Sequence, residues 1–189
     1  MAIGIGIIIA VVLGLILLAF IGYVVAIFNG LVRLKNNIKK SWANIDVLLK
    51  QRTDELPKLI STVKGYMKHE KGVLTEVTNA RASMMNAGTM SEKAKADNML
   101  TGALKSLFAV SENYPELKAN ENFMHLQGRI SGIENELADR REFYNDSTNQ
   151  FNIRIQSIPD VFVARMLGYT EQEMFKVSAE DRKDVKVEF

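Results

Sequence analysis

The chain has 189 residues, of which 47% are hydrophobic and 24% charged, with a formal net charge of +2 and no cysteine. This length allows one domain of ordinary size plus one additional element. Without cysteine there can be no disulfide framework, iron–sulfur cluster or thiol nucleophile. The near-neutral charge argues against a dedicated nucleic-acid-binding protein, so no nucleic-acid partner is expected.

Residues 1–32 contain no charged side chain and include the apolar run 2–28. As a helix with a rise of about 1.5 Å per residue, this run extends roughly 40 Å, more than the hydrocarbon core of about 30 Å. Its length, and the absence of Lys or Arg before Arg33, argue against a cleaved signal peptide. The sequence therefore predicts a single transmembrane helix over residues 1–30, with the lipid bilayer as its partner.

Cationic residues follow the apolar run on one side only. They are Arg33, Lys35, Lys39 and Lys40. Because Lys and Arg favour the cytoplasmic side, we expect the N-terminus outside and the rest of the chain in the cytoplasm. The same cations can contact anionic lipid headgroups at roughly 1 kcal/mol each, although such a cluster is general after a membrane span.

Small residues recur at four-residue spacing along the apolar run. They are Ala2, Gly6, Ala10, Gly14, Gly22, Ala26 and Gly30, with Leu18 as the exception. In lipid, this spacing lets two helix backbones approach closely enough for dispersion contacts to hold them together. A chance arrangement of common membrane-helix residues is the alternative. The pattern favours a homo-oligomer formed through the membrane helix, and we expect the helical body that follows to take part in the same contacts.

After the membrane span, apolar residues follow three-and-four spacing, which predicts an all-α protein. Helices are expected at residues 31–54, 57–85, 91–112 and 118–158, with a break or sharp kink at Pro57 because proline cannot donate to the preceding turn. Short connections make successive helices antiparallel, so residues 31–167 are expected to form an antiparallel four-helix bundle continuing from the span. A seven-residue apolar repeat in the last helix is typical of coiled-coil packing. Residues 168–189 are expected to be a polar C-terminal tail.

Catalytic motifs are nearly absent from the sequence. The two histidines, His69 and His125, lack the Glu-x-x-His and His-Glu-x-x-His spacings of helical metal sites. Phosphate-binding loops and nucleophile elbows are also missing. We therefore expect no enzymatic activity and no cofactor; a metal-dependent enzyme centred on either histidine is the remaining enzymatic hypothesis.

Polar residues interrupt or flank the apolar stripes at several positions. These are Asn29, Asp46, Arg52, Arg81, Glu112, Glu134, Arg140, Arg141 and Asn145. Buried charges and amides are costly unless paired, and a paired network can fix helix register. We predict such a network in the bundle, formed by Asp46, Arg81, Glu112, Glu134, Arg140 and Asn145. A polar groove for a partner is the alternative interpretation.

Five segments together resemble the LemA family. They are Phe-Asn-Gly-Leu-Val at 28–32, Ser-Trp-Ala-Asn-Ile-Asp-Val at 41–47, Val-Lys-Gly-Tyr-Met-Lys-His-Glu-Lys at 63–71, Glu-Asn-Tyr-Pro-Glu-Leu-Lys-Ala-Asn-Glu-Asn-Phe at 112–123 and Arg-Arg-Glu-Phe-Tyr-Asn at 140–145. The resemblance extends from the membrane span to about Phe175. Phe28 and the Leu-Pro-Lys-Leu at 56–59 depart from the Tyr and the Ile-Pro-Asn-Leu-like segment expected there.

The resemblance implies a prokaryotic inner or cytoplasmic membrane protein with one N-terminal span and a cytoplasmic helical bundle. It supplies no established activity and no catalytic residues; some relatives are associated with magnetosome membrane formation, and others are encoded beside membrane metalloproteases. Our leading hypothesis is a non-enzymatic, self-associating scaffold that organises a membrane or a membrane complex. The alternative is a monomeric adaptor for a membrane protein partner, such as a protease or quality-control complex.

Overall fold

The computed structural model describes residues 2–175 of the chain, and side chains from Gly4 onward. It contains six helices: α1 (Ala2–Lys64), α2 (Lys71–Asn86), α3 (Met90–Ser111), α4 (Pro115–Lys118), α5 (Glu121–Gln156) and α6 (Asp160–Met166). Residues 2–175 contain no β-strand. The predicted all-α class and the long N-terminal apolar helix are therefore confirmed.

The chain divides into two compact units. Within the described residues, the first unit comprises residues 2–40 and 145–174, and the second unit comprises residues 41–144 and Phe175. Each unit therefore uses part of α1 and part of α5, so residues distant in sequence meet in both.

The apolar part of α1 makes almost no contact with the rest of the first unit. Of the helices in the described residues, only α1 is long and apolar enough to cross a membrane, and its most apolar stretch has no buried side chain. Burial along α1 starts at Ile27 and continues at Leu31 and Ile38. The first unit thus packs only against the end of the apolar run.

The expected break at Pro57 is wrong, because α1 continues through it to Lys64. Proline removes one backbone hydrogen bond from a helix. Here Leu56, Leu59 and Val63 lie on one completely buried face, and burial of each such side chain contributes about 1.5–3 kcal/mol. Packing on both sides of Pro57 therefore holds the helix together across the missing hydrogen bond.

Other helix boundaries also differ from those expected. The helices expected at 31–54 and 57–85 are replaced by α1 and the shorter α2, which are joined by turns after Lys64. The helix expected at 118–158 corresponds to α5, which starts three residues later and ends two residues earlier, whereas α3 lies within one residue of 91–112 at each end. The later start of α5 follows from Asn120, whose side chain accepts a hydrogen bond from the Phe123 N–H at 3.0 Å.

The core of the second unit collects apolar residues from α1 to α5. Its members are Leu56, Leu59, Val63, Met67, Val77, Ala80, Leu100, Ala103, Leu104, Leu107, Leu117, Phe123, Leu126 and Ile130. Phe108 packs edge-on against Phe123 at the margin of this core, with the ring centroids 6.4 Å apart. These contacts position the charged side chains described below.

The prediction of a polar tail from residue 168 is wrong for residues 168–175. Asn152 forms two hydrogen bonds with the Gln172 backbone, at 2.8 and 2.9 Å, and Tyr169 packs against Phe151 in the first unit. In the second unit, Phe175 is 2% exposed and packs against Trp42. Residues 176–189 of the expected tail lie outside the described residues.

Candidate functional site

The stripe of small residues along α1 is accessible over most of its length. Gly6, Ala10, Gly14, Gly22 and Ala26 are all exposed. At the three glycines, an added Cβ would meet no described atom within 4 Å. This face could therefore admit a neighbouring helix, and self-association through it stays a prediction.

Gly30 differs from the other glycines of the stripe because Arg154 of α5 lies against it. A Cβ on Gly30 would come within 2.7 Å of Arg154 Nη1 and 2.9 Å of Arg154 Nη2. The same guanidinium contacts Asp160, with Arg154 Nε 2.5 Å from Asp160 Oδ2. Gly30 thus allows a close contact with Arg154 inside the first unit and is not part of the accessible stripe.

The four predicted membrane-surface cations differ in their surroundings. Arg33, Lys39 and Lys40 are exposed. Lys35 is half-buried, and its Nζ lies 4.1 Å from the centroid of the Tyr169 ring. Such a cation–π contact ties Lys35 to the segment after α6.

A cluster of four charged side chains forms the polar centre of the second unit. Asp97 on α3 is completely buried, and Arg52 on α1 is 2% exposed. Arg52 Nη1 lies 2.9 Å from Asp97 Oδ1, and Arg141 of α5 contacts the other Asp97 oxygen. Glu134 of α5 completes the cluster, with its Oε2 2.5 Å from Arg52 Nη2 and its Oε1 3.7 Å from Arg141 Nη1. We call these four residues the ion cluster.

The ion cluster holds two guanidinium groups and two carboxyl groups, so its formal charges cancel when all four are ionised. Burial raises the pKa of Asp97, while the charges of Arg141 and Arg52 act in the opposite direction. Arg52 Nη1 also donates to Thr101 Oγ1 at 3.1 Å. The Phe175 ring lies 5.1 Å from Arg141 Cζ. Three segments of the second unit and Phe175 are thereby joined around one buried carboxylate.

Of the six residues predicted to form the polar network, only Glu134 belongs to the ion cluster. Asp46 pairs with Lys93, and Glu112 pairs with Lys118 at the surface. Arg140 is exposed and pairs with Glu136 at 3.2 Å. Arg81 and Asn145 are half-buried, and Asn145 belongs to the first unit. The six residues therefore do not form the single network that was predicted.

Helical spacing explains why Arg141 rather than Arg140 enters the cluster. Arg141 stands four residues after Leu137 and three before Tyr144, and both of those residues are buried. Residues three and four apart share a helix face. Arg140 is one residue earlier, and adjacent residues of a helix do not share a face. Its side chain is therefore exposed to solvent.

Asp97 is the main residue that the sequence analysis missed. It precedes Leu100 by three residues and Leu104 by seven, so it lies on the buried face of α3. An acidic residue in register with buried leucines, in a chain whose Arg52 and Arg141 also interrupt apolar stripes, is the signal that identifies it.

A groove of about 320 Å³ lies in the second unit. Asp46, Arg81, Lys93 and the apolar Met84 and Met85 are among the residues that line it. Arg81 Nε is buried and has no hydrogen-bond partner among the described residues. The groove thus combines both charge signs with two flexible apolar side chains.

Two of the segments that carry the family resemblance meet in the second unit. Tyr114 donates to Glu70 Oε1 at 3.0 Å, and Asn120 Nδ2 donates to the Tyr66 hydroxyl at 3.1 Å. The hydrogen bond to Glu70 raises the pKa of Tyr114. These contacts join the turn between α1 and α2 to the segment around α4, which gives the motif residues a structural role.

The described residues do not bring metal-ligating side chains together. His69 and His125 are both exposed, and the described part of the chain contains no group of three or more His, Asp and Glu side chains placed to hold a metal ion. A metal site on either histidine thus gains no support from the geometry.

The chain is similar in sequence to known proteins over most of its length. The sequence model of the LemA family matches residues 41–189. Protein LemA of Metamycoplasma hominis is 28% identical over 162 residues, covering 83% of this chain and 72% of that protein. Magnetosome protein MamQ 2 of Paramagnetospirillum magneticum is 22% identical over 184 residues, and Magnetosome protein MamQ of Magnetospirillum gryphiswaldense is 21% identical over 185 residues. Each of these two alignments covers 84% of this chain and 68% of the relative.

Proposed function

This chain belongs to the LemA family, and we propose that it is a non-enzymatic scaffold which self-associates through its membrane helix. The names of its relatives describe no enzymatic activity. The apolar helix and the bacterial relatives are consistent with a membrane-anchored protein. We further propose that the span lies in a prokaryotic inner or cytoplasmic membrane, with the N-terminus outside and the helical body in the cytoplasm.

The observation that carries this proposal is the accessible face of α1. Apolar side chains on a water-exposed surface of this size would be unfavourable, but in lipid they cost nothing. Gly6, Gly14 and Gly22 leave space along a row of four-residue steps that winds slowly around the helix, and small residues at this spacing let helix backbones approach closely in lipid.

We also propose that the body is an antiparallel four-helix bundle formed by α1, α2, α3 and α5. Arg129 of α5 contacts Glu55 of α1 at 2.9 Å, and Glu134, further along α5, contacts the earlier residue Arg52. Residue numbers thus rise along α5 as they fall along α1. The short connections between α1 and α2 and between α2 and α3 support the same arrangement.

The orientation proposal rests on the exposed cations Arg33, Lys39 and Lys40 after the span. It is tested by attaching a membrane-impermeant thiol reagent to a single cysteine near either end of α1 in intact cells. Labelling of a cysteine placed at Ala2, with none at an Asn36→Cys variant, is expected. The reverse pattern would contradict the orientation.

The central experiment measures the mass of the full-length protein in nanodiscs or mild detergent. We expect an assembly larger than a monomer in the wild type, and a smaller one in the Gly14→Leu and Gly22→Leu variants, because the leucine side chains keep two helices apart. Ile16→Phe is the control, because it also adds bulk: Ile16 is likewise exposed, but it lies about 160° from Gly14 and about 120° from Gly22 around the helix.

A wild-type monomer would contradict the scaffold and favour the alternative, a monomeric adaptor. The groove lined by Asp46, Arg81 and Lys93 supports that second candidate, since it offers a surface for a membrane protein partner. Charge reversal at Lys93 would then reduce the recovery of a partner from membranes without changing the mass of the isolated protein.

A further inference from the structure

The turn before α6, together with α6 itself, presents an unusual apolar face in the first unit. Ile158, Phe162 and Met166 are 80%, 60% and 87% exposed. Phe162 and Met166, four residues apart, lie on one side of α6, and Ile158 is exposed in the turn that precedes this helix. The opposite side of α6 is already packed, since Val163 and Ala164 are buried. Three large apolar side chains within nine residues therefore face away from the protein.

Contacts in the first unit place α6 at the level where the apolar run of α1 ends. Arg154 lies against Gly30 and also holds Asp160, the first residue of α6. Gly30 follows Phe28 by two residues, a rise of about 3 Å along the helix. One guanidinium group thus joins the start of α6 to the end of the predicted membrane span.

The direction of α5 brings the turn at residues 157–159 still closer to the apolar run. Phe151 packs against Tyr169, and the Lys35 ammonium group lies over the Tyr169 ring. Arg154, one turn later on α5, reaches Gly30, which precedes Lys35 on α1. Residues of α5 therefore approach the apolar run as their numbers rise. The turn that contains Ile158 comes after Arg154 and continues in this direction.

We propose that the turn at residues 157–159 and the exposed face of α6 insert into the interfacial layer of the bilayer that α1 crosses. This inference rests on the proposed membrane anchoring. Apolar side chains of such segments enter the boundary between headgroups and acyl chains to a depth of about 5–10 Å. The exposed Arg165 on α6 and Arg33 on α1 are placed to contact lipid phosphate.

The bilayer fits this surface better than a second copy of the chain does. Arg154 links the start of α6 to Gly30 at the end of the apolar run of α1, so the lipid that surrounds α1 is also within reach of the exposed side chains of α6. Tyr169 lies beside Lys35, in the pairing of an aromatic ring with a cation that is common at membrane interfaces. The protein would then contact its membrane through a helix that crosses and a short helix that lies on it.

The absence of cysteine from the natural chain allows a direct depth measurement. Full-length Ile158→Cys and Phe162→Cys variants are labelled with an environment-sensitive fluorophore and reconstituted in vesicles of phosphatidylcholine and phosphatidylglycerol. Quenching is then compared between lipids that carry a nitroxide near the headgroup and aqueous iodide. Leu18→Cys, Phe28→Cys and Asn36→Cys on α1 provide a depth scale, because all three positions are exposed.

We expect labels at positions 158 and 162 to be quenched by the nitroxide lipid about as strongly as the label at position 28. Quenching at least about threefold stronger than at position 36, together with protection from iodide, would be consistent with interfacial insertion. Iodide quenching equal to that at position 36 would overturn the proposal. Disulfide cross-linking between chains at position 158 without lipid quenching would also overturn it, in favour of a second copy.

The α1 series separates this inference from the proposed anchoring. If the label at position 18 is not quenched by lipids that carry a nitroxide deep in the acyl chain, the membrane span itself is wrong. If the label at position 18 is quenched and the label at position 158 is not, only the insertion of α6 is wrong.

Discussion

The two units of this chain expose and bury opposite kinds of side chains. The first unit leaves large apolar residues uncovered on α1 and at Ile158 and Phe162, whereas the second unit encloses Arg52 and Asp97 almost completely. Each arrangement would be unfavourable in the surroundings of the other: apolar surface needs lipid or protein, and a buried charge needs an opposite charge. Whether an exposed apolar side chain or a buried charge is unfavourable therefore depends on the surroundings of the unit that contains it.

The largest effect is expected from breaking the ion cluster. Asp97→Ala leaves Arg52 and Arg141 buried without their shared carboxylate, and removal of one partner from a buried ion pair costs about 3–5 kcal/mol. Urea unfolding of the full-length protein in mild detergent, followed by circular dichroism, measures this loss.

A matched control for the ion cluster is Arg140→Gln, which removes an exposed pair with Glu136. Exposed pairs contribute about 0–1 kcal/mol, so little change is expected. Equal effects of Asp97→Ala and Arg140→Gln would show that the second unit gains nothing specific from its buried charges.

A smaller effect, of opposite sign, is expected at Pro57. The Pro57→Ala variant restores a donor inside α1, where an interior proline costs up to about 3 kcal/mol. Because Pro57 is exposed, the substitution removes no core contact. We expect a higher urea midpoint. A lower midpoint would mean that the packing of Leu56 and Leu59 depends on the geometry that proline imposes.

In the first unit, Gly30→Ala and Gly22→Ala are expected to differ. An added methyl group at Gly22 meets no described atom, and alanine improves helix propensity by roughly 1 kcal/mol. At Gly30 the methyl group displaces the guanidinium of Arg154. Faster amide hydrogen exchange across α6 is expected for Gly30→Ala only.

The Arg154→Ala background tests the cause of that difference. If the guanidinium is what the Gly30 methyl group displaces, then Gly30→Ala has no further effect on hydrogen exchange in this background. A persistent effect would place the cause elsewhere in α1.

The all-α class and the long apolar helix could be predicted because periodicity and hydropathy are properties of short segments. The break at Pro57 was predicted wrongly because the packing of Leu56 and Leu59, which outweighs the missing hydrogen bond, depends on distant residues. The ion cluster was only partly found for the same reason. Glu134 could be selected from its own helix, but the role of Asp97 depends on Arg52 and Arg141 from two other helices.

The family resemblance identified segments 63–71 and 112–123 but gave no structural role for their residues. The contacts of Tyr114 with Glu70 and of Asn120 with Tyr66 show that these segments meet. The exposed Ile158 illustrates the opposite limit. It continues the seven-residue repeat of the last helix in sequence, yet α5 ends at Gln156, so the repeat no longer determines where its side chain points.

The smallest effect concerns two carboxyl groups of α3 whose pKa values shift in opposite directions. Hydrogen bonds from the backbone N–H groups of Thr89 and Gly88 lower the pKa of Glu92, so its contribution to stability is present above its unfolded pKa and lost as pH falls through its folded pKa. The pKa of Asp97 is raised by burial, so the pH-dependent part of its contribution has the opposite sense: that part is present below the unfolded pKa and is lost as pH rises through the folded pKa. The Glu92→Gln variant should therefore lose less stability than the wild type between pH 7 and about pH 3, because the loss occurs below the ordinary Glu pKa of about 4.3; urea unfolding in detergent measures it. Thr89→Ala removes the acceptor for the Glu92 N–H and should cost about 1 kcal/mol. A Glu92→Gln variant as sensitive to acid as the wild type would assign the acid dependence to groups outside this cap.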